Sequence, residues 1–140
     1  TLSSRDWRDH VQPHLHSLCD QLAADGIPAI LFANGAAHLS PLYLSLPSTA
    51  NQFCWRTDLA AMRDLTGSVT EGGKVLQGNL DPAALLAGPE ATVAATERLL
   101  SRVPSHGHIV NLGHGIDKET PLEAVSALVE TVRAESPQES

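Results

Sequence analysis

The 140 residues set one domain as the ceiling, and 42% hydrophobic content suffices for a core although only 4% of residues are aromatic. A net charge of −7 and a pI near 5.3 speak against nucleic acid or an anionic membrane surface as partner. The longest apolar run, Ala29 to Ala33, is too short to span a bilayer, and no charged-then-apolar leader opens the chain.

Cys19 and Cys54 stand without metal or redox spacing, so free thiols in a cytoplasmic setting are expected. Ser4 to Asp9 suggests a short helical turn capped by Ser3 or Ser4. A longer helix follows with Pro13 in its first turn, an apolar stripe of Leu15, Leu18, Cys19 and Leu22, and Gly26 at its end. His10, His14, His16 and Cys19 tempt a zinc reading. No carboxylate or further cysteine sits at a supporting offset, so a solvated helix is the better reading and no metal is assigned. These leading helices occupy residues 1–26.

Pro28 to Ala33 is the first strand, an unbroken apolar run of the kind buried on both faces. Asn34-Gly35 turns it into a helix over residues 36–46, restricted at its start by Pro41 and broken at Pro47. Gln52 to Trp55 reads as a short second strand. Thr57 then caps a helix through Leu65, with Leu59, Met62 and Leu65 inward. In the third strand, Lys74 to Leu80, alternation places Val75, Gln77 and Asn79 on one face and Leu76, Gly78 and Leu80 on the other. Asp81-Pro82 opens a short helix that closes near Gly88. Pro89 starts another, with Val93, Thr96, Leu99, Leu100 and Val103 on one side. Ile109 to Leu112 is the fourth strand, and it runs into Gly113-His114-Gly115, where two glycines free the backbone around a histidine. Thr120-Pro121-Leu122-Glu123 is a capping box for a last helix with Val125, Leu128, Val129 and Val132 inward. Residues 136–140 form a polar tail expected to fray.

This alternation describes an α/β chain: leading helices, then four βα units over residues 27–135 around a parallel sheet. No GxGxxG, phosphate-loop or Gly-x-Ser-x-Gly spacing is present, which leaves nucleotide and serine-hydrolase readings without support. Chemistry is expected at the carboxyl ends of the strands, where His114 falls. From spacing alone, His114 is open to two readings, a ligand contact or a histidine that fixes its own loop. Gln77 and Asn79 are likewise open to orienting a ligand or bonding one another. Asp81 reads as a helix cap.

The run Gln77-Gly78-Asn79-Leu80-Asp81-Pro82, followed by Asn111-Leu112-Gly113-His114-Gly115, resembles the last two βα units of uroporphyrinogen decarboxylase, a lyase of porphyrin biosynthesis. The resemblance extends over roughly residues 4 to 135 but reaches only the carboxyl-terminal half of that family's barrel. It implies half of a (βα)8 TIM-type barrel: four parallel strands each followed by helix. It implies an acidic tetrapyrrole ligand touched by His114, Gly113, Gly115, Asn111, Gln77 and Asn79, with no metal or organic cofactor. The aspartate and arginines through which the family removes acetate carboxyls belong to the other half of the barrel and match no position here. Cys54 stands where the family commonly has an aspartate, and Asn34 where it usually has a lysine. The cysteine and histidine ligands of the related zinc-dependent methyltransferases are also absent. No catalytic residue is therefore assigned, autonomous turnover is not expected, and two copies are expected to pair into one eight-stranded barrel. The rival is a self-associating half barrel that binds acidic porphyrin weakly or serves only as structure.

Overall fold

Each strand of this chain lies beside its sequence neighbour and parallel to it, in the order β1-β2-β3-β4. The computed structural model describes residues 2–135, so the expectation of a frayed tail lies outside the described residues. Two helices lead, α1 (Ser4–His10) and α2 (Gln12–Ala24), and β1 (Ile30–Phe32) follows. A 3-10 turn (Ala37–Leu39) and α3 (Ser40–Leu44) connect it to β2 (Ala50–Gln52), and α4 (Leu59–Thr66) with a second 3-10 turn (Val69–Glu71) leads to β3 (Val75–Gln77). Then come α5 (Ala83–Leu86), α6 (Pro89–Arg102), β4 (His108–Ile109) and α7 (Leu122–Glu135). This is half of a (βα)8 barrel. Among the described residues no helix is long and apolar enough to cross a membrane.

Register explains how the core forms. Leu31, Asn51, Leu76 and His108 lie in one row across the sheet, and Phe32, Gln52, Gln77 and Ile109 in the next. Side chains alternate between faces along a strand, so neighbouring rows point to opposite sides. The first row faces the helices: Leu76 is fully buried, and Leu31 packs against a cluster that holds Trp7, Leu39, Tyr43, Leu46, Phe53 and Met62. The Tyr43 and Phe53 rings stack with centroids 5.1 Å apart. A second cluster of Leu80, Leu85 and Ala124 joins α5, α6 and α7. The second row faces no helix. Ile30 and Phe32 stay exposed, which corrects the expectation of a first strand buried on both faces.

Several boundaries also differ from the sequence reading. Asp58, not Thr57, caps α4, through its carboxylate and the Ala60 and Ala61 N–H groups, while Thr57 is buried with its hydroxyl on Ser40. The second strand ends at Gln52, before Phe53 and Cys54, and the fourth is His108–Ile109 with only an isolated bridge from Leu80 to Leu112. The helix expected over 36–46 is a 3-10 turn plus α3, because the Pro41 ring lacks the N–H that a continuous helix would need. Thr120 caps nothing: its hydroxyl is buried without a partner and α7 opens at Leu122. Leu18, Leu65 and Val129, expected inward, are exposed.

Two cations, the buried Arg63 and the half-buried Lys74, tie the amino-terminal ends of the strands. The Arg63 guanidinium donates to the carbonyls of Gly67 (3.1 Å), Lys74 (2.8 Å) and Gly107 (2.7 Å). The Lys74 ammonium donates to the Leu46 carbonyl, the Ser48 carbonyl and the Ser48 hydroxyl. Burial lowers the pKa of both groups. These loops are thus held by charge against backbone dipoles.

Candidate functional site

At the carboxyl-terminal rim the chain leaves β2, β3 and β4 through three loops that lock into one another. Asn79 is buried, and its side-chain nitrogen donates to the carbonyls of Cys54 (3.0 Å) and Thr57 (2.6 Å). Both of its amide hydrogens are thereby used to fasten the β2–α4 loop to the end of β3. Asn79 therefore neither shares the face of Gln77 nor bonds to it. Gln77 donates instead to Gln52 Oε1 at 2.6 Å, and Gln52 Nε2 reaches the Leu112 carbonyl at 3.4 Å. This glutamine pair sits in the row that faces no helix. Asn111 is exposed and turns its carbonyl oxygen onto its own neighbour's N–H, that of Leu112, at 2.8 Å.

The two glycines beside His114 differ in what they do. A Cβ at Gly113 would lie 2.3 Å from the Trp55 backbone nitrogen and 2.9 Å from its Cα. Gly113 is buried, and its N–H donates to the Leu80 carbonyl at 2.8 Å. The missing side chain admits the Trp55 backbone, not a ligand. Gly115 faces open space, and neither glycine has a positive φ. The expectation that both supply conformations closed to other residues is corrected accordingly.

His114 is half-buried, and its Nδ1–H donates to the Gly115 carbonyl at 2.9 Å, which leaves Nε2 for a ligand. It lines an open cleft of about 430 Å³ with Gly115, Trp55, Asp81, Leu86 and Asp117. Asp81 Oδ1 accepts from the Ala83 N–H at 3.0 Å, but Pro82 and not Asp81 holds the cap position of α5, which corrects the expected cap by one residue. A smaller hollow of about 250 Å³ shares Trp55 and Asp81 and is lined further by Arg98 and Arg102. Arg102 is paired with Asp58 at 2.8 Å. Desolvation would raise the Asp58 carboxyl, but the Arg102 bond and the α4 N–H groups outweigh it and hold its pKa low. The Arg56 guanidinium lies 4.5 Å from the Trp55 ring centroid.

Of the six residues nominated from the sequence, His114 and Gly115 line the cleft, while Gln77, Asn79, Asn111 and Gly113 do not. Trp55, Arg56 and Asp117 were missed. The available signal was a Trp-Arg pair directly after a strand, in the same position relative to β2 as the histidine loop is to β4. Among the described residues, no group of three or more His, Cys, Asp or Glu is placed to hold a metal.

The uroporphyrinogen decarboxylase (URO-D) family model matches residues 1–135. The uroporphyrinogen decarboxylase of Carboxydothermus hydrogenoformans is 38% identical over 133 residues, which is 94% of this chain and 37% of that protein. That of Saccharopolyspora erythraea is also 38% identical, over 142 residues, 96% of this chain and 39% of that protein. The chain thus spans less than two fifths of the length of these curated relatives. A solved methyltransferase from Methanosarcina mazei matches with a TM-score of 0.70 at 19% identity, over 95% of this chain and 38% of that one. At that identity the likeness speaks for the fold.

Proposed function

This chain belongs to the uroporphyrinogen decarboxylase family, and from that premise we propose that it forms the carboxyl-terminal wall of a site for an acidic tetrapyrrole without turning the ligand over alone. One observation carries this reading: His114 lines an open cleft at the strand ends with the Trp55 ring, and Arg56 lies over that ring. A flat aromatic surface suits a planar or near-planar ring, and an imidazole and a guanidinium suit its carboxylates.

Decarboxylation asks for more than this. Removing carbon dioxide from an acetate arm needs cations placed where negative charge sits or develops. The cleft offers His114 but also the Asp81 and Asp117 carboxylates, which oppose a poly-acid. The reading is therefore binding that is weak and salt-sensitive, with acetate removal dependent on groups beyond this chain.

The test is a titration with uroporphyrin followed by tryptophan fluorescence. Trp7 is buried and Trp55 lies in the cleft, so quenching that disappears in Trp55→Phe reports the cleft. His114→Ala should weaken affinity about 10- to 150-fold, the value of one hydrogen bond to a charged group. The same affinity in His114→Ala and wild type would assign His114 to its loop alone. Anaerobic incubation with uroporphyrinogen should yield no coproporphyrinogen, and turnover comparable to that of a full-length relative would overturn the second half of the reading.

A further inference from the structure

Trp55 and Arg56 are the two central residues of a tight turn. The Thr57 N–H donates to the Cys54 carbonyl at 3.0 Å, which closes four residues into a β-turn. Its base, Cys54 and Thr57, is buried, whereas its tip, Trp55 and Arg56, is exposed. Neither tip residue belongs to a core cluster, so core packing does not fix where the tip points. Asn79 supplies what packing does not. Its single Nδ2 donates to the carbonyls at both ends of the turn, Cys54 at 3.0 Å and Thr57 at 2.6 Å. The two N–H directions of a planar amide are fixed relative to each other, so they set the separation and tilt of both carbonyls at once.

The same segment reaches the other wall of the cleft. Leu80, next in the chain, donates its N–H to the Asn111 carbonyl at 3.0 Å and accepts from the Gly113 N–H at 2.8 Å. Asn79-Leu80 therefore fastens the Trp55 turn with a side chain and the His114 loop with its backbone. Gly113 closes the third side, since a Cβ there would lie 2.3 Å from the Trp55 nitrogen.

We propose that Asn79 is a positioning residue for ligand binding. It holds the Cys54–Thr57 turn at one orientation to the His114 loop, so that the Trp55 ring, the Arg56 guanidinium and the His114 imidazole meet a carboxylate-bearing ring without first being ordered. The identity of that ligand rests on the tetrapyrrole reading, and Asn79 itself does not touch it. Groups ordered in advance bind more tightly than groups that must be ordered by the ligand. Fixing the backbone of one residue corresponds to about 5- to 30-fold in an equilibrium constant. An asparagine that served only the fold would change stability and leave affinity alone, and this difference is measurable.

Asn79→Ala removes both bonds and alters no side chain of the His114 cleft. Without ligand, hydrogen exchange at the Thr57 amide should accelerate at least tenfold relative to that at the core Leu76 amide, and the anisotropy of Trp55 emission should fall. Uroporphyrin affinity should drop about 5- to 30-fold, the entropy of one backbone residue. The drop should shrink in an Arg56→Ala background, because the two residues then act on one contact. Arg63→Met, which loosens the opposite ends of the strands, should keep wild-type affinity. Gly113→Ala displaces the same turn with the Asn79 amide intact and should also weaken binding, which decides the matter if Asn79→Ala does not fold. Wild-type affinity in Asn79→Ala, or in Gly113→Ala where the first variant does not fold, would overturn the proposal, as would an equal loss in Arg63→Met. A wild-type chain that binds no uroporphyrin, with the Thr57 amide still freed in Asn79→Ala, would instead overturn the tetrapyrrole reading and leave the clamp standing.

Discussion

Replacing Arg63 by methionine keeps most of the side chain's volume and removes only its guanidinium. Three carbonyls, those of Gly67, Lys74 and Gly107, lose a donor. Hydrogen bonds to a charged group contribute about 1.5–3 kcal/mol each, but two effects pull the sum down. The Gly107 carbonyl keeps the Leu76 N–H at 2.9 Å, and the fold no longer bears the desolvation of a cation. A net loss of about 2–4 kcal/mol is expected, a large share of the roughly 5–15 kcal/mol that a domain has in total. At about 3–4 °C per kcal/mol for a chain of this size, the melting temperature should fall by about 6–16 °C. Urea and thermal unfolding measure this directly. A second readout separates charge from packing. The Arg63 charge helps to lower the pKa of His108, so NMR titration of Arg63→Met should find that imidazole titrating at higher pH. Arg63→Lys, able to reach fewer carbonyls, should fall between. A methionine variant that melts with wild type and leaves His108 unmoved would refute the idea that one guanidinium ties these strand starts.

Gly113→Ala should cost about 1–3 kcal/mol by overpacking, since the obstacle is the Trp55 backbone and not a mobile side-chain tip. Gly115→Ala, facing open space, should be neutral within about 0.5 kcal/mol; equal denaturation midpoints for the two variants would sink this distinction. His108 supplies a pH dependence. Burial disfavours its charged form, the Gly78 carbonyl offsets this in part, and the Arg63 charge adds to the lowering. The folded pKa thus lies below the unfolded value of about 6.5, and the unfolded chain binds more protons in between. Stability should be full above about pH 6.5 and fall as pH drops toward the folded pKa. His108→Gln should flatten the slope in that window, and an unchanged slope there would acquit the residue.

The order and class of the elements were legible because periodicity and turn chemistry are local. Ser3 caps α1, Pro13 lies in the first turn of α2, and Pro89 opens α6 as its residue type requires. What failed was decided by distant partners. Thr57 is as good a cap as Asp58 in sequence, yet its hydroxyl is taken by Ser40 from α3. Ile30 and Phe32 read as core because a parallel strand ordinarily has both faces covered, and half a barrel leaves one open. Asn79 and Gly113 belong to the recognised motifs, but each is spent on the β2–α4 loop, far away along the chain and adjacent in space. A motif records that a position is constrained. It does not divide the constraint between holding the rim together and holding a ligand.

The allocation of cations carries the functional argument one step further. The chain has nine lysines and arginines. Arg63 and Lys74 are committed to backbone carbonyls at the amino ends of the strands, on the side of the sheet opposite the rim. Arg102 is matched by Asp58, and Arg5 and Lys118 lie within 3.7 Å of Asp9 and Glu119. Near the cleft this leaves Arg56 against Trp55 and Arg98 in the adjoining hollow, with His114 between the Asp81 and Asp117 carboxylates. Such a set can orient one or two carboxylates of a ring. It cannot neutralise the acidic groups around a whole tetrapyrrole. Binding should therefore rest on these few cations: Arg56→Ala, which removes an exposed guanidinium from the Trp55 ring, should lower uroporphyrin affinity about tenfold or more, the value of one hydrogen bond to a charged group, with the circular dichroism spectrum unchanged. Unchanged affinity in that variant would move the carboxylate contact away from this rim.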